Sequence, residues 1–166
     1  MNLISLKNQL AEHVIEYREK YYRLAYSHVK NIDDAMDIVQ ESIYKAISTI
    51  NTLKEPSYIR TWFYRIVVNT SLDFLRKQKR LKVVGEDVIT YLDSGITDTY
   101  ENIDLSIAID TLPDICRSII ILRYFEDLKL SEIAEILNEN INTVKTHLYK
   151  SLEKLRLEMI DLDEEV

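Results

Sequence analysis

Cysteine, glycine and proline are nearly absent from this sequence: one Cys, two Gly and two Pro stand among 166 residues. A single thiol excludes an intramolecular disulfide framework and a cysteine metal cluster, and it points to a reducing compartment. Cys116, inside an apolar run, reads as a small core residue. So few turn residues, with 30% charged side chains and no run of alternating apolar residues, exclude a β-rich fold and predict an all-α protein. No apolar run reaches membrane-spanning length, and the opening residues lack the apolar core of a signal peptide. A soluble, cytoplasmic protein is expected. Catalytic signatures are missing too. There is no Gly-rich phosphate loop, no nucleophile with a positioned base, and no metal-ligand spacing between His13 and His28. The sequence therefore predicts a non-enzyme with no cofactor, no metal site and no small-molecule substrate.

A net charge of −7 opposes an approach to phosphate, but the charge is not spread evenly. From Ser57 to Lys82 the cations Arg60, Arg65, Arg76, Lys77, Lys79, Arg80 and Lys82 face one acid, Asp73. From Val83 to Asp110 the charges are all acidic: Glu86, Asp87, Asp93, Asp98, Glu101, Asp104 and Asp110. Segments of opposite sign imply separate partners.

Apolar positions at Leu10, Val14, Tyr17, Tyr21, Leu24, Ala25 and Val29 predict one amphipathic helix from about Leu6 to Val29. Asn31 is a natural cap for the next helix, with Asp34 favouring its N-terminus. There Ala35, Val39, Ile43, Ala46 and Ile50 form the buried stripe, leaving Asp34, Asp37 and Glu41, with Gln40 beside them, on an acidic face. Ser48 to Tyr58 reads as a loop.

The stretch from Trp62 to Arg80 opens with three aromatics and ends in cations. Trp62, Arg65, Ile66, Asn69, Asp73 and Arg76 recur at helical spacing and lie along one stripe. Aromatic faces beside cations suit a nucleic-acid strand with unstacked bases, because rings replace base stacking and cations hold phosphates. Trp62, Ile66 and Leu72 partly anchor such a helix. Which of its aromatics meets a base is not legible.

Both glycines, Gly85 and Gly95, fall in the acidic stretch 83–102, which has no long apolar period and reads as a flexible linker. Helical patterning then resumes, with Pro113 at a first-turn position and Ile115, Ile119, Ile120, Leu122, Tyr124 and Phe125 forming a core helix. Beyond it, Ser131 reads as an N-cap, Ile133, Ala134 and Leu137 face inward, and Glu139-Asn140 makes a turn. Asn142 caps a second helix with Val144 and Leu148 buried. This is a helix-turn-helix pattern, whose second helix leaves Thr143, Lys145, Thr146, His147, Tyr149 and Lys150 for solvent or DNA.

Taken in order, Asp34-Ala-Met-Asp-Ile-Val-Gln-Glu41, Arg60-Thr-Trp-Phe-Tyr-Arg-Ile-Val-Val-Asn69, Asp73-Phe-Leu-Arg76, the acidic linker, Leu112-Pro113, Leu122-Arg-Tyr-Phe-Glu126, Ile133-Ala134 and Thr143-Val-Lys145 resemble the bacterial extracytoplasmic-function (ECF) sigma factors of the sigma-70 family. The resemblance covers nearly the whole chain. It implies two small helical domains joined by a flexible acidic linker: residues 1–82 as sigma region two, 83–102 as linker, and 103–166 as sigma region four with the helix-turn-helix. It assigns Asp34, Asp37, Gln40 and Glu41 to docking on core RNA polymerase. The loop from Thr49 to Tyr58, with Asn51, and the helix carrying Arg60, Trp62, Arg65, Asn69, Arg76, Lys77 and Arg80 are assigned to the minus-ten promoter element. Asn142, Thr143, Lys145, Thr146, His147 and Lys150 are assigned to the minus-thirty-five element. An anti-sigma factor, often membrane-bound in the family, is the implied regulator. Lys145 and His147 stand where many relatives place arginine, so base preference does not carry over. The segment Thr143 to Leu148 also looks like the recognition helix of LuxR-type regulators, but nothing before Arg80 has the strand-helix alternation of a receiver domain.

Overall fold

The computed structural model describes residues 2–84 and 100–164. Among them there is no strand, and the helices group into two compact units, one built on α1 to α4 and the other on α5 to α8, with Glu135–Leu137 at the end of α7 grouped with the first. The acidic residues from Glu86 to Asp98, and both glycines, lie outside the described residues.

The first unit opens with α1, Leu3–Glu16, whose N-terminus is capped by the Asn2 side chain accepting from the Ile4 N–H at 3.0 Å. The predicted single helix is in fact two. At Tyr17 the backbone leaves helical values (φ −108°, ψ 18°), and α2, Arg18–Val29, starts in a new direction. The bond from the Lys20 N–H to the Tyr17 carbonyl, 3.0 Å, tightens this turn. Apolar spacing continues across the break because both helices pack on the same core, so periodicity alone does not reveal it. The bend brings His13 of α1 against Tyr21 of α2, where its Nε2 hydrogen-bonds the phenol.

Lys30 ends α2 in the left-handed region (φ 57°), its N–H donating to the Tyr26 carbonyl at 2.8 Å. Asn31 then caps α3, Ile32–Ser48, by accepting from the Asp34 N–H at 2.9 Å, as its sequence predicts. Inside, Ala35, Ile38, Val39, Ser42 and Ala46 are buried, whereas Ile43 is only half-buried. Two short 3-10 turns, Ile50–Thr52 and Pro56–Tyr58, lead into α4, Ile59–Val84. At 26 residues α4 is roughly 39 Å long. Its inner face, Phe63, Tyr64, Val67 and Val68, is sealed against α2 and α3. Tyr21 meets the edges of Phe63 and Tyr64 at centroid distances of 4.6 and 4.9 Å, an aromatic cluster that fixes α2 on α4. Buried Thr70 and Ser71 return their hydroxyls to the Ile66 and Val67 carbonyls, so they sit inside at little cost.

In the second unit α5, Tyr100–Asp110, and α6, Asp114–Ile120, pack on α8, Ile141–Glu164. Pro113 lies just outside α6, at its N-cap. After Ile120 the chain winds one π-helical turn, Ile121–Phe125, closed by the Glu126 N–H on the Ile121 carbonyl at 3.0 Å. That extra residue rotates Tyr124 and Phe125 outward. Both are exposed, contrary to the core role expected of them, while Leu122 and Leu128 are buried.

The helix-turn-helix is α7, Leu130–Leu137, followed by α8. Its caps differ from the expected residues. Helix α7 begins one residue before Ser131, with Glu132 accepting from the Lys129 N–H at 3.0 Å. Asn138 adopts a left-handed φ of 54°, and this fixes the exit from α7. Asn140, not Asn142, caps α8 by accepting from the Asn142 N–H at 2.8 Å. Ile133, Ala134, Ile136, Val144 and Leu148 are buried, and Leu137 is half-buried.

Candidate nucleic-acid and partner interfaces

The outer face of α3 gathers Asp37, Gln40 and Glu41, all exposed, with Asp34 half-buried at its start. Burial, then the neighbouring Asp37 and Asp33 carboxylates, raises the Asp34 carboxyl above its usual value. That crowding of like charge marks a surface that favours a cationic partner. Sequence patterning misses a second component of this face. Met36, Tyr44 and Ile47 are interleaved with the acids and exposed, Tyr44 by 73%. The signal was available in the i, i+4 spacing of Met36, Gln40 and Tyr44, with Ile47 three residues beyond, which places them on one ridge. Acid and apolar side chains together match an amphipathic basic partner.

Lys45 links this face to α4. Its Nζ is 3.5 Å from a Glu41 carboxylate oxygen and donates to the Thr70 hydroxyl at 3.2 Å, next to Asn69.

On α4 the structure separates the residues that sequence patterning grouped. Arg65, Asn69, Arg76, Lys77 and Arg80 are exposed, and Trp62 is half-buried. Trp62, Asn69, Arg76 and Arg80 fall within about 60° of Arg65 around the helix, at about 100° per residue. Phe63 and Tyr64 are core, so Trp62 alone of the three leading aromatics is available to a base. Arg60 is exposed but lies about 140° around from Arg65. Its guanidinium sits 5.8 Å from the centroid of the Tyr64 ring and its charge reaches His13. Arg60 therefore lies on a different side of α4 from the stripe that carries Trp62, Arg65 and Asn69.

The loop before α4 is ordered by Ile50 and Leu53, both buried, which leaves Asn51 and Tyr58 exposed. Tyr58 is a second surface aromatic that sequence reasoning did not single out; it is 59% exposed and adjoins α4.

In the second unit, Asn142, Thr146, Tyr149 and Lys150 form the exposed face of the first turns of α8. The Thr146 hydroxyl donates to the Asn142 carbonyl at 2.9 Å, which leaves its lone pairs free to accept from outside. Thr143, Lys145 and His147 are half-buried. His147 is not simply a surface imidazole: its Nδ1 lies 3.6 Å from the Cys116 thiol on α6, leaving Nε2 as its other polar edge. Among the described residues no cluster of three or more His, Cys, Asp or Glu has metal-binding geometry, and no helix is long and apolar enough to cross a membrane.

Comparison with known proteins bears on both units. The sigma-70 region 2 model matches residues 14–81, and the sigma-70 region 4 model matches residues 104–155. The chain is 51% identical over 150 residues to the RNA polymerase sigma factor SigV of Bacillus subtilis, covering 90% of each protein. It is 33% identical to the ECF RNA polymerase sigma factor SigW of the same organism, over 94% of this chain and 91% of that one. Among solved structures, the fold is similar to the sigma factor RpoE in complex with the anti-sigma factor NepR from Bartonella quintana, with TM-score 0.71 and 21% identity over 90% of this chain and 95% of that one. It is also similar to CnrH in complex with the cytosolic domain of CnrY, with TM-score 0.67 and 20% identity over 93% and 88%. The chain belongs to the sigma-70 family and, within it, to the ECF RNA polymerase sigma factors.

Proposed function

We propose that this chain binds core RNA polymerase through α3, opens and reads the minus-ten element with α4, and reads the minus-thirty-five element with α8. The observation that carries the reading is the pairing of unlike faces on one unit. Along α3, acids alternate with exposed apolar side chains; along α4, cations flank one half-buried tryptophan. The first face suits a basic, partly apolar protein surface. The second suits a strand whose bases have been unstacked.

Asp34, Asp37, Gln40 and Glu41 supply polar docking contacts, with Met36, Tyr44 and Ile47 adding apolar area. Trp62 and Tyr58 are the ring platforms for unpaired bases, Arg65 and Asn69 lie beside Trp62 on the same stripe, Lys77 and Arg80 hold phosphates, and Arg76, with one arm on Asp73, offers its remaining N–H groups to the DNA. Asn51 lies on the approach, and Arg60 acts from the side facing α1. On α8, Asn142, Thr146 and Lys150 face DNA, flanked by Thr143, Lys145 and His147. Residues 1–82 and 103–166 form the two working domains, with 83–102 between them. The chain's own work is recognition, without catalysis, in the cytoplasm where polymerase and promoter meet. An anti-sigma partner controls it; the complex of RpoE with NepR supports that reading.

Transcription from a library of promoter duplexes tests the proposal, with the purified chain supplied alone, with core polymerase, or omitted. Sequence-specific initiation, with thymines near the start site becoming permanganate-reactive, is expected only when chain and core are both present. Protection of one duplex site by the chain alone, unchanged by core, would refute it and favour an ordinary helix-turn-helix regulator.

A further inference from the structure

Asp73 is the lone acid among residues 57–82, and it stands in the middle of the cationic stripe. At about 100° per residue it lies within about 60° of Asn69, Arg76, Lys77 and Arg80 around α4. Its Oδ1 accepts from the Arg76 Nη1 at 2.8 Å, with the two side chains 50% and 66% exposed. A pair this exposed adds little to stability, because water competes for both partners. It has a different effect on a surface that meets phosphate. A carboxylate there repels the DNA backbone, and it occupies one arm of the guanidinium that would otherwise close on a phosphate with two parallel bonds.

We propose that Asp73 is a selectivity residue for the promoter-reading helix. It withholds one unit of charge from sequence-independent phosphate binding and biases the Arg76 guanidinium toward one arrangement, with one arm on Asp73 and its remaining N–H groups left for the DNA. Phosphate contacts strengthen binding to every sequence alike, whereas an oriented donor rewards only the sequence that places an acceptor opposite it. The surface thereby gives up general affinity and gains discrimination. The inference rests on the reading that α4 meets DNA.

Asp73→Asn tests it, in holoenzyme assembled with core polymerase, since Asn matches Asp in shape and the site is exposed. The probes are a promoter selected by the wild-type holoenzyme from a library randomised in the minus-ten region, and the same duplex with that region scrambled. Affinity for the scrambled duplex is expected to rise about three- to tenfold, as one freed contact of ordinary net hydrogen-bond strength on a water-exposed surface allows. The ratio of selected to scrambled affinity falls, and the slope of log K against log salt steepens by about 0.9, the value of one added duplex phosphate contact. Lys77→Ala, measured alongside, reports on α4 itself. If Lys77→Ala weakens both duplexes while Asp73→Asn leaves scrambled affinity and salt slope at wild-type values, the role of Asp73 is overturned and the reading of α4 stands. If neither variant alters DNA binding, both are overturned.

Discussion

Phe63→Ala separates the two roles written into the aromatic start of α4. Phe63 is fully buried and meets Tyr21 edge to face at 4.6 Å. Removing such a ring costs about 3–5 kcal/mol, of which about 0.5–1.5 kcal/mol belongs to the aromatic pair. A unit of this size holds about 4–12 kcal/mol in total, at about 0.05–0.15 kcal/mol per residue. The first unit should therefore lose much of its stability, with a midpoint lowered by roughly 15 °C or more. The assay is built into the chain. Its single tryptophan, Trp62, lies on α4, so tryptophan fluorescence reports the first unit alone, while far-ultraviolet circular dichroism reports helices of both. The fluorescence transition should move down sharply. Phe125→Ala is the matched control: Phe125 is 58% exposed, and its loss should change stability by no more than about 0.5 kcal/mol. Equal melting shifts for the two variants, or an unmoved Trp62 transition in Phe63→Ala, would refute the assignment of Phe63 to the core.

Three further outcomes are expected. Tyr44→Ala should weaken competition for core polymerase about as much as Asp37→Ala with Gln40→Ala, without lowering the melting temperature, if the exposed apolar ridge shares in docking; competition assays against a labelled sigma factor measure this. Lys145→Ala should cost about 1–3 kcal/mol on the preferred upstream element if Lys145 contacts a base, and a uniform loss over all sequences with a salt slope reduced by about 1 marks a phosphate contact instead. Burial, outweighing Glu16 and joined by Arg60, lowers the His13 pKa below its usual value of 6.5. Since the folded state binds the proton less readily, the stability from this site is complete above pH 6.5 and is lost as pH falls through the depressed value. The pH dependence of the Trp62 fluorescence midpoint should flatten over that range in His13→Phe.

Much of this architecture was legible because helical periodicity and charge segregation are properties of the chain itself. The cap at Asn31, the inward Val144 and Leu148, and the acidic face of α3 all follow from residue type and spacing, and the structure bears them out. What stayed hidden depends on three-dimensional choices between equal local signals. Asn138, Asn140 and Asn142 are all good cap or turn residues, and the left-handed backbone at Asn138 is what selects Asn140. The break at Tyr17 leaves the apolar spacing intact, and the π turn before Glu126 changes the facing of Tyr124 and Phe125 without changing their hydrophobicity. Within the candidate sites, exposure divided Trp62 from Phe63 and Tyr64, a distinction made by Tyr21 from another helix. Tertiary packing likewise sets the Arg60 guanidinium over the Tyr64 ring, on a different side of α4 from Arg65.

Lys45 gives the two faces of the first unit a common currency. Because one ammonium serves both Glu41 on α3 and Thr70 on α4, Glu41→Ala does two things at once. It removes an outward carboxylate, and it strips a half-buried cation of its counter-charge one residue from Asn69. An alanine scan along α3 therefore does not measure docking alone at Glu41. The losses from Glu41→Ala and Thr70→Val should fail to add, and the shortfall is the energy with which a change on one surface is felt at the other.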